Sequence, residues 1–297
     1  SLVNLHLNAD FEMNMPDKMN FNAYMDIAEL NSQTTPIACV PDGAPAAEVT
    51  LGAKNVPLSW GGVSPGQDSG GSLTLSAEAR WTLQGSSVIG LGGSLIIGGG
   101  PSIEGCKLKE LGATLAIGQI ENYFAAKADC TVPILGIPVE MQAGFFAGHA
   151  CSLDPLKFVD PEVDKVLITD PGLFTGVYVE YGGSLSLSDL LGFGSEGCVL
   201  NAGAGITTAY YFNGGASAGT IGGRQKMSLD ISLFCVLSGH ADWATALALD
   251  TSGRLTLEGD ANVCGSIGPC PLCASGCKDV TVIGVVSPKG IDYSVKY

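Results

Sequence analysis

The sequence predicts an all-β protein, either a large antiparallel β-sandwich or a flattened barrel of about 12 to 15 strands, with one short helix and disulfide staples. Three observations lead to this fold class. Apolar residues alternate with polar or small ones over many short runs, turn residues separate the runs, and ten of the 297 residues are cysteines. Alternation of period two is typical of strands, but a sandwich and a barrel show the same alternation, so both remain open.

Two hairpins can be recognised directly. Apolar residues alternate over 5–15 and again over 19–27, with a Pro-Asp-Lys turn between the two runs. The runs 243–249 and 255–263 alternate in the same way. The Asp-Thr-Ser-Gly sequence at 250–253 between them suits a type I turn followed by a glycine bulge.

Four further runs alternate with period two, and they cover residues 73–83, 139–147, 198–212 and 227–237. At the positions between the apolar residues, Ser, Thr, Gly and Ala are frequent. Charged residues make up only 14% of the chain, against about 25% in typical domains. We therefore expect that much of the second face of the sheet is covered rather than open to water.

A helix is predicted over 160–168, because Asp160 can cap its start and Pro161 suits its first turn. It belongs to a connection over 154–172 that separates an N-terminal β block, residues 1–153, from a C-terminal β block, residues 173–297. A single continuous domain is the alternative to this division.

The cysteines predict disulfide bonds and an extracellular or cell-surface location, because their number is even and disulfides persist in oxidising compartments. The last four lie close together, and zinc, iron–sulfur and redox-pair interpretations all compete there with structural disulfides. We favour structural disulfides because the spacing fits none of the metal or redox patterns. The ten disulfide candidates are Cys39, Cys106, Cys130, Cys151, Cys198, Cys235, Cys264, Cys270, Cys273 and Cys277.

The formal net charge of −15 makes the chain acidic and argues against nucleic acid as a partner, because phosphate backbones are bound by Lys and Arg. Residues 81–103 carry no charge, but they are too rich in Gly and Ser for a spanning helix, so no transmembrane helix is expected. The sequence begins at Ser1 and shows no signal peptide, as we expect of a processed or excised chain.

Catalytic residues and cofactors are not predicted, and we expect no enzyme activity. The three histidines, His6, His149 and His240, lack a second histidine at metal-ligand spacing, and no nucleophile elbow is present. Asp160, Glu162 and Asp164 are spaced like the ligands of some calcium loops, but the full calcium-loop pattern is absent. They form a weak calcium candidate, and the prediction is that no metal is bound.

The last residues, Ile291, Tyr293, Val295 and Tyr297, alternate up to a terminal aromatic residue. This run resembles the closing strand of bacterial outer-membrane barrels. The remainder of the chain departs from that family in its ten cysteines and in the absence of visible aromatic girdles.

Two functions from different classes remain after these exclusions. The first is a secreted, self-assembling structural protein, such as a filament, surface-layer or matrix subunit, whose glycine-rich faces contact other extracellular subunits. The second is an extracellular barrel-like protein that binds an apolar ligand such as a lipid. Its adaptable lining would include Met13, Met15, Met19, Met25 and Met141.

Overall fold

A computed structural model describes most of the chain. The residues that it describes are 5–14, 18–30, 46–57, 74–99, 102–103, 106–134, 137–163, 174–186, 200–214, 219–233, 237–267 and 274–296. They form β-strands almost throughout, with one short helix, as the alternation predicts.

The strands are long, and most contain 10 to 14 residues. In chain order they are β1 (Leu5–Asn14), β2 (Lys18–Leu30), β3 (Ala46–Pro57), β4 (Thr74–Gln84), β5 (Ser87–Gly98), β6 (Ser102–Ile103), β7 (Cys106–Gly118), β8 (Asn122–Ile134), β9 (Ile137–Ala150), β10 (Phe174–Ser186), β11 (Leu200–Asn213), β12 (Thr220–Leu233), β13 (Leu237–Asp250), β14 (Leu255–Ile267), β15 (Ala274–Ser287) and β16 (Gly290–Lys296). The helix α1 (Asp154–Val159) lies between β9 and β10.

The strands form one antiparallel sheet in which each strand pairs with its neighbours in the chain. The two-residue strand β6 stands outside this order and pairs with β7. Strands β9 and β10 pair with each other across the 154–172 connection, so the two β blocks belong to the same sheet. The all-β, antiparallel prediction is confirmed. The described strands are hydrogen-bonded into one continuous sheet rather than into two separate sheets.

Both predicted hairpins are present. Strand β1 pairs with β2, and β13 pairs with β14. At the second turn the Asp250 carboxylate accepts hydrogen bonds from the backbone N–H of Ser252 at 2.8 Å and of Arg254 at 3.0 Å. Gly253 has a φ of 79°, the left-handed conformation that the predicted glycine bulge requires.

The described residues contain one short helix, but it does not lie where the sequence predicted it. Helix α1 begins six residues earlier than expected, with Pro155 in its first turn, and it ends at Val159. Asp160 is extended (φ −134°, ψ 107°), which stops the helix. The Asp160 side chain does accept a hydrogen bond from the N–H of Glu162 at 2.8 Å, but this bond holds a turn rather than a helix start. Residues 164–168 lie outside the described part of the chain.

The pairing register divides the described strand residues between two faces of different chemistry. One face, here called the polar face, carries the charged side chains, for example Glu78 and Arg80 on β4 and Arg224 and Lys226 on β12. The opposite face, here called the apolar face, carries large apolar side chains at the intervening positions. Among the described strand residues, Glu29, Lys278 and His149 are the acidic or basic residues placed on the apolar face, and all three lie within five residues of a strand end.

The polar face is the concave one. Small residues on this face are almost fully buried even on β13, away from helix α1, where Ala246 is 6% exposed and Ala248 is 2% exposed. Leu247, between them on the apolar face, is 45% exposed. Curvature explains the difference, because side chains converge on the inside of a curved sheet and spread apart on the outside.

Candidate functional site

The most elaborate part of the polar face surrounds helix α1 and the turn that follows it, here called the 154–163 segment. Leu156 and Val163 are fully buried and Val159 is 5% exposed. They pack into a cluster that includes Phe146 of β9 and Tyr178 of β10. The apolar side of the segment is therefore fixed against the centre of the sheet.

The 154–163 segment lies directly against two glycines of the sheet. A Cβ atom at Gly144 would stand 2.2 Å from Cγ1 of Val159, and one at Gly112 would stand 2.7 Å from the ring of Phe158. Contacts between carbon atoms normally require about 3.5–4.0 Å. The segment thus approaches the strand backbone more closely than any side chain at these two positions would allow.

The other side of the segment is held by charged and polar groups. The Tyr178 hydroxyl donates a hydrogen bond to Asp160, which is 6% exposed. Glu162 accepts from the Lys226 ammonium at 3.0 and 3.1 Å, and the Arg224 guanidinium is 3.5 Å away. These contacts connect the segment to β10 and β12.

A cavity of about 420 Å³ opens beside this charged side. It lies over β7 to β12, and both acidic and basic side chains line it. Glu180, which is 3% exposed, accepts a hydrogen bond from the Gln142 amide within the lining, and Lys109 pairs with Glu140. Its walls therefore suit hydrated ions or small polar solutes.

A second contact on the polar face joins strands β4 and β8. The guanidinium of Arg80 on β4 donates a hydrogen bond of 2.8 Å to the hydroxyl of Tyr123 on β8. Strands β5 and β7 lie between these two residues, and Gly92 of β5 leaves space for the Arg80 side chain. The contact agrees with a sheet that curves towards its polar face.

The apolar face is exposed over most of its extent. Large apolar side chains from β1 to β16 are between 37% and 81% exposed. They include Leu95, Leu115, Phe124, Phe145, Val177, Tyr210, Phe212, Ile221, Met227, Trp243, Leu257, Val263 and Tyr293. Meanwhile Arg224 and Glu180 on the other face are buried. So many exposed large apolar side chains on one face are unusual for a protein surrounded by water.

The sequence left the cysteine pairing open, and two disulfides have both of their cysteines within the described residues. Cys106 of β7 bonds to Cys130 of β8, and Cys264 of β14 bonds to Cys277 of β15. Cys264 and Cys277 face each other directly in the register, so the start and end of the cysteine cluster form a cross-strand bond. Cys151 is also disulfide-bonded. The remaining candidates, Cys39, Cys198, Cys235, Cys270 and Cys273, lie outside the described residues.

The histidines are distributed over three separate places. His6 contacts Asp26, His149 bonds to the Thr175 hydroxyl at 2.7 Å, and His240 lies between Asp230 at 2.6 Å and Asp242 at 2.7 Å. Over the described part of the chain, no three His, Cys, Asp or Glu residues are grouped in a way that could hold a metal ion.

The weak calcium candidate is only partly visible. Asp160 and Glu162 contact protein donors, as described above, and Asp164 lies outside the described residues. The three residues therefore stay a weak candidate from sequence, and the prediction that no metal is bound is untested.

The sequence did not single out the cavity or the segment that borders it. A signal was nevertheless present, since charged residues recur at positions of one parity on several strands, as at 78 and 80, 224 and 226, and 258 and 260. That pattern assigns the charges to one face, but it does not say which face is concave.

No family model, curated protein or solved structure matches the chain. Helices long and apolar enough to cross a bilayer are absent from the described residues.

Proposed function

We propose that this protein lies in a membrane at the cell surface, with its apolar face in contact with lipid hydrocarbon. Its polar face then lines a water-filled path for small ions and polar solutes. The observation that carries the proposal is that large apolar side chains are exposed along one face of the sheet, while nearly all charged residues of the described strands lie on the opposite face.

The extent of the apolar face supports lipid as its partner. Soluble monomers rarely expose a continuous apolar patch larger than a few hundred Å², whereas here every strand of the main path from β3 to β16 except β4 contributes a large exposed apolar residue. Lipid hydrocarbon covers such a surface at no cost, but it tolerates few charges in its interior. The two charged exceptions, Glu29 and Lys278, lie near strand ends, where a bilayer is polar.

The strand lengths also suit a bilayer. Strands β12 and β13 contain 14 residues each, which span about 47 Å at roughly 3.4 Å per residue. At a tilt of about 45°, that length crosses about 33 Å, close to the ~30 Å of a typical hydrocarbon core.

The curvature favours lipid over a stack of protein subunits as the main cover of the apolar face. A rigid second copy would touch a convex surface over only part of its width, whereas fluid lipid follows the whole of it. Self-association, which the sequence predicts, has a separate role in this proposal. Edge strands β1 and β16 need backbone partners in hydrocarbon, from each other or from a neighbouring copy.

A matched pair of substitutions on β12 tests the proposal. Met227, near the middle of β12, is 42% exposed on the apolar face, and Ser228 follows it on the polar face. A lysine facing lipid at the bilayer midplane costs about 2–4 kcal/mol. We expect Met227→Lys to lower the equilibrium constant for folding into phospholipid vesicles by about 30- to 700-fold. Ser228→Lys places its charge on the polar face, opposite Asp242 of the neighbouring strand β13. This variant should therefore insert as the wild type does.

The result also separates lipid from the assembly alternative. Equal insertion of the two variants would refute contact between the apolar face and lipid. Filaments that form without lipid, and that Met227→Lys prevents, would instead support the self-assembling structural protein.

A further inference from the structure

The cavity beside the 154–163 segment has more acidic than basic side chains in its lining. Its acidic and basic residues are Asp129, Glu140, Asp160, Glu162, Glu180, Lys109, Arg224 and Lys226. Five carboxylates against three basic groups give the lining a formal charge of −2. A concave site of one sign attracts ions of the opposite sign, so the lining favours a positively charged occupant.

The three basic side chains of the lining are already engaged by two of its carboxylates. Lys109 pairs with Glu140, and both Lys226 and Arg224 contact Glu162. The negative charge of the cavity is therefore carried by the three remaining carboxylates, which form no ion pair with a described residue. They are those of Asp129, Asp160 and Glu180.

Glu180 is the most deeply buried of these three residues, with 3% of its surface exposed. The Gln142 side chain donates a hydrogen bond to Oε1 of Glu180, and no described residue donates one to Oε2. Asp160, by contrast, accepts from the Tyr178 hydroxyl and from the N–H of Glu162. A buried acceptor without a donor is unfavourable, so Oε2 of Glu180 is the atom that a bound ligand would satisfy.

An ammonium group supplies what Glu180 lacks, because it carries one positive charge and three N–H donors. A metal ion would need several ligands, and no three His, Cys, Asp or Glu residues in the described part of the chain are grouped to hold one. The hydroxyls of Thr207 and Ser228 also line the cavity. They offer further hydrogen bonds to a small polar molecule.

We infer that the cavity binds a small organic ammonium compound, with an N–H group donating to Oε2 of Glu180. The inference concerns the polar face alone and does not depend on lipid contact at the apolar face. Because the lining carries a formal charge of −2, a diamine is the matching probe.

The experiment is isothermal titration calorimetry of the detergent-solubilised protein at physiological ionic strength, with butane-1,4-diamine and butane-1,4-diol as probes. The diol has nearly the same length and shape as the diamine but carries no charge. We expect the diamine to saturate one site in each chain. The diol should bind at least about tenfold more weakly, because it lacks a hydrogen bond between charged groups.

A matched pair of variants locates the site. Glu180→Gln keeps the shape of the side chain and removes its charge, so it should weaken diamine binding at least about tenfold. Glu258 lies on the polar face of β14, outside the cavity lining, and Glu258→Gln should change binding less than about twofold because salt screens its charge. Asp129→Asn, also in the cavity lining, should weaken binding as well and repeats the test if Glu180→Gln folds poorly.

Absence of saturable diamine binding, equal binding of the diol, or equal effects of Glu180→Gln and Glu258→Gln would overturn the inference. Failure of the proposed lipid contact would appear instead as equal insertion of Met227→Lys and Ser228→Lys, an experiment that uses no diamine. The two failures are therefore distinguishable.

Discussion

The approach of the 154–163 segment to the sheet gives the sharpest quantitative prediction, and it concerns Gly144. A Cβ atom there would lie 2.2 Å from Cγ1 of Val159 and 3.3 Å from the Val159 carbonyl oxygen. Since a normal carbon contact needs about 3.5 Å or more, Gly144→Ala must push the segment outward by over 1 Å. Val159 is only 5% exposed and cannot turn into solvent.

Overpacking of this kind typically costs about 1–3 kcal/mol. Replacing a strand glycine by alanine returns about 0.5–1 kcal/mol, because the unfolded chain loses conformational freedom. We therefore expect Gly144→Ala to lower the free energy of unfolding by about 1–2 kcal/mol. The assay is urea unfolding of the detergent-solubilised protein, followed by tryptophan fluorescence.

Gly259 on β14 provides the matched control, because a Cβ there meets no atom within 4 Å. Gly259→Ala should be neutral or slightly stabilising. The double variant Gly144→Ala/Val159→Ala removes the clashing methyl group, so the two substitutions should show a coupling energy of at least about 1 kcal/mol. A Gly144→Ala protein as stable as the wild type, or additive effects in the double variant, would refute the described docking of the segment.

Two further predictions concern single bonds. Tyr178→Phe removes the hydroxyl that donates to the buried Asp160 carboxylate, and it should lower the free energy of unfolding by about 1–3 kcal/mol in the same assay. Tyr293→Phe, at an exposed position, should change that free energy by less than about 0.5 kcal/mol. Equal effects of the two substitutions would contradict the buried contact. Replacing Cys264 and Cys277 together by alanine removes a disulfide that joins residues 13 apart in sequence, and it should lower the free energy of unfolding by about 3 kcal/mol. A variant that unfolds at the same urea concentration as the wild type would argue against that bond.

Much of the fold follows from the sequence because strand alternation and turn chemistry are local. The hairpin of β13 and β14 could be predicted with its turn type, since Asp250 and Gly253 determine that turn themselves. The helix was displaced in the prediction because Asp160 and Pro161 form a plausible helix start, while Pro155 forms the one that the chain uses.

The site could not be predicted, because it depends on contacts between residues distant in sequence. Glu162 contacts Lys226 across 64 residues, and only the completed sheet brings β12 under the segment. The sequence likewise does not show towards which face the sheet curves. Period-two alternation assigns Met227 and Ser228 to opposite faces, but it is identical whether the apolar face is inside or outside.

The central claim is that the apolar face meets lipid, and Trp243 reports on it directly. This side chain is 57% exposed on that face. In a variant that retains Trp243 alone, with Trp60 and Trp81 replaced by phenylalanine, fluorescence is measured in vesicles made with brominated phospholipids and then with iodide in the aqueous phase. The account predicts that brominated lipid quenches more than half of the Trp243 emission and that iodide quenches little. Strong quenching by iodide without quenching by brominated lipid would contradict it.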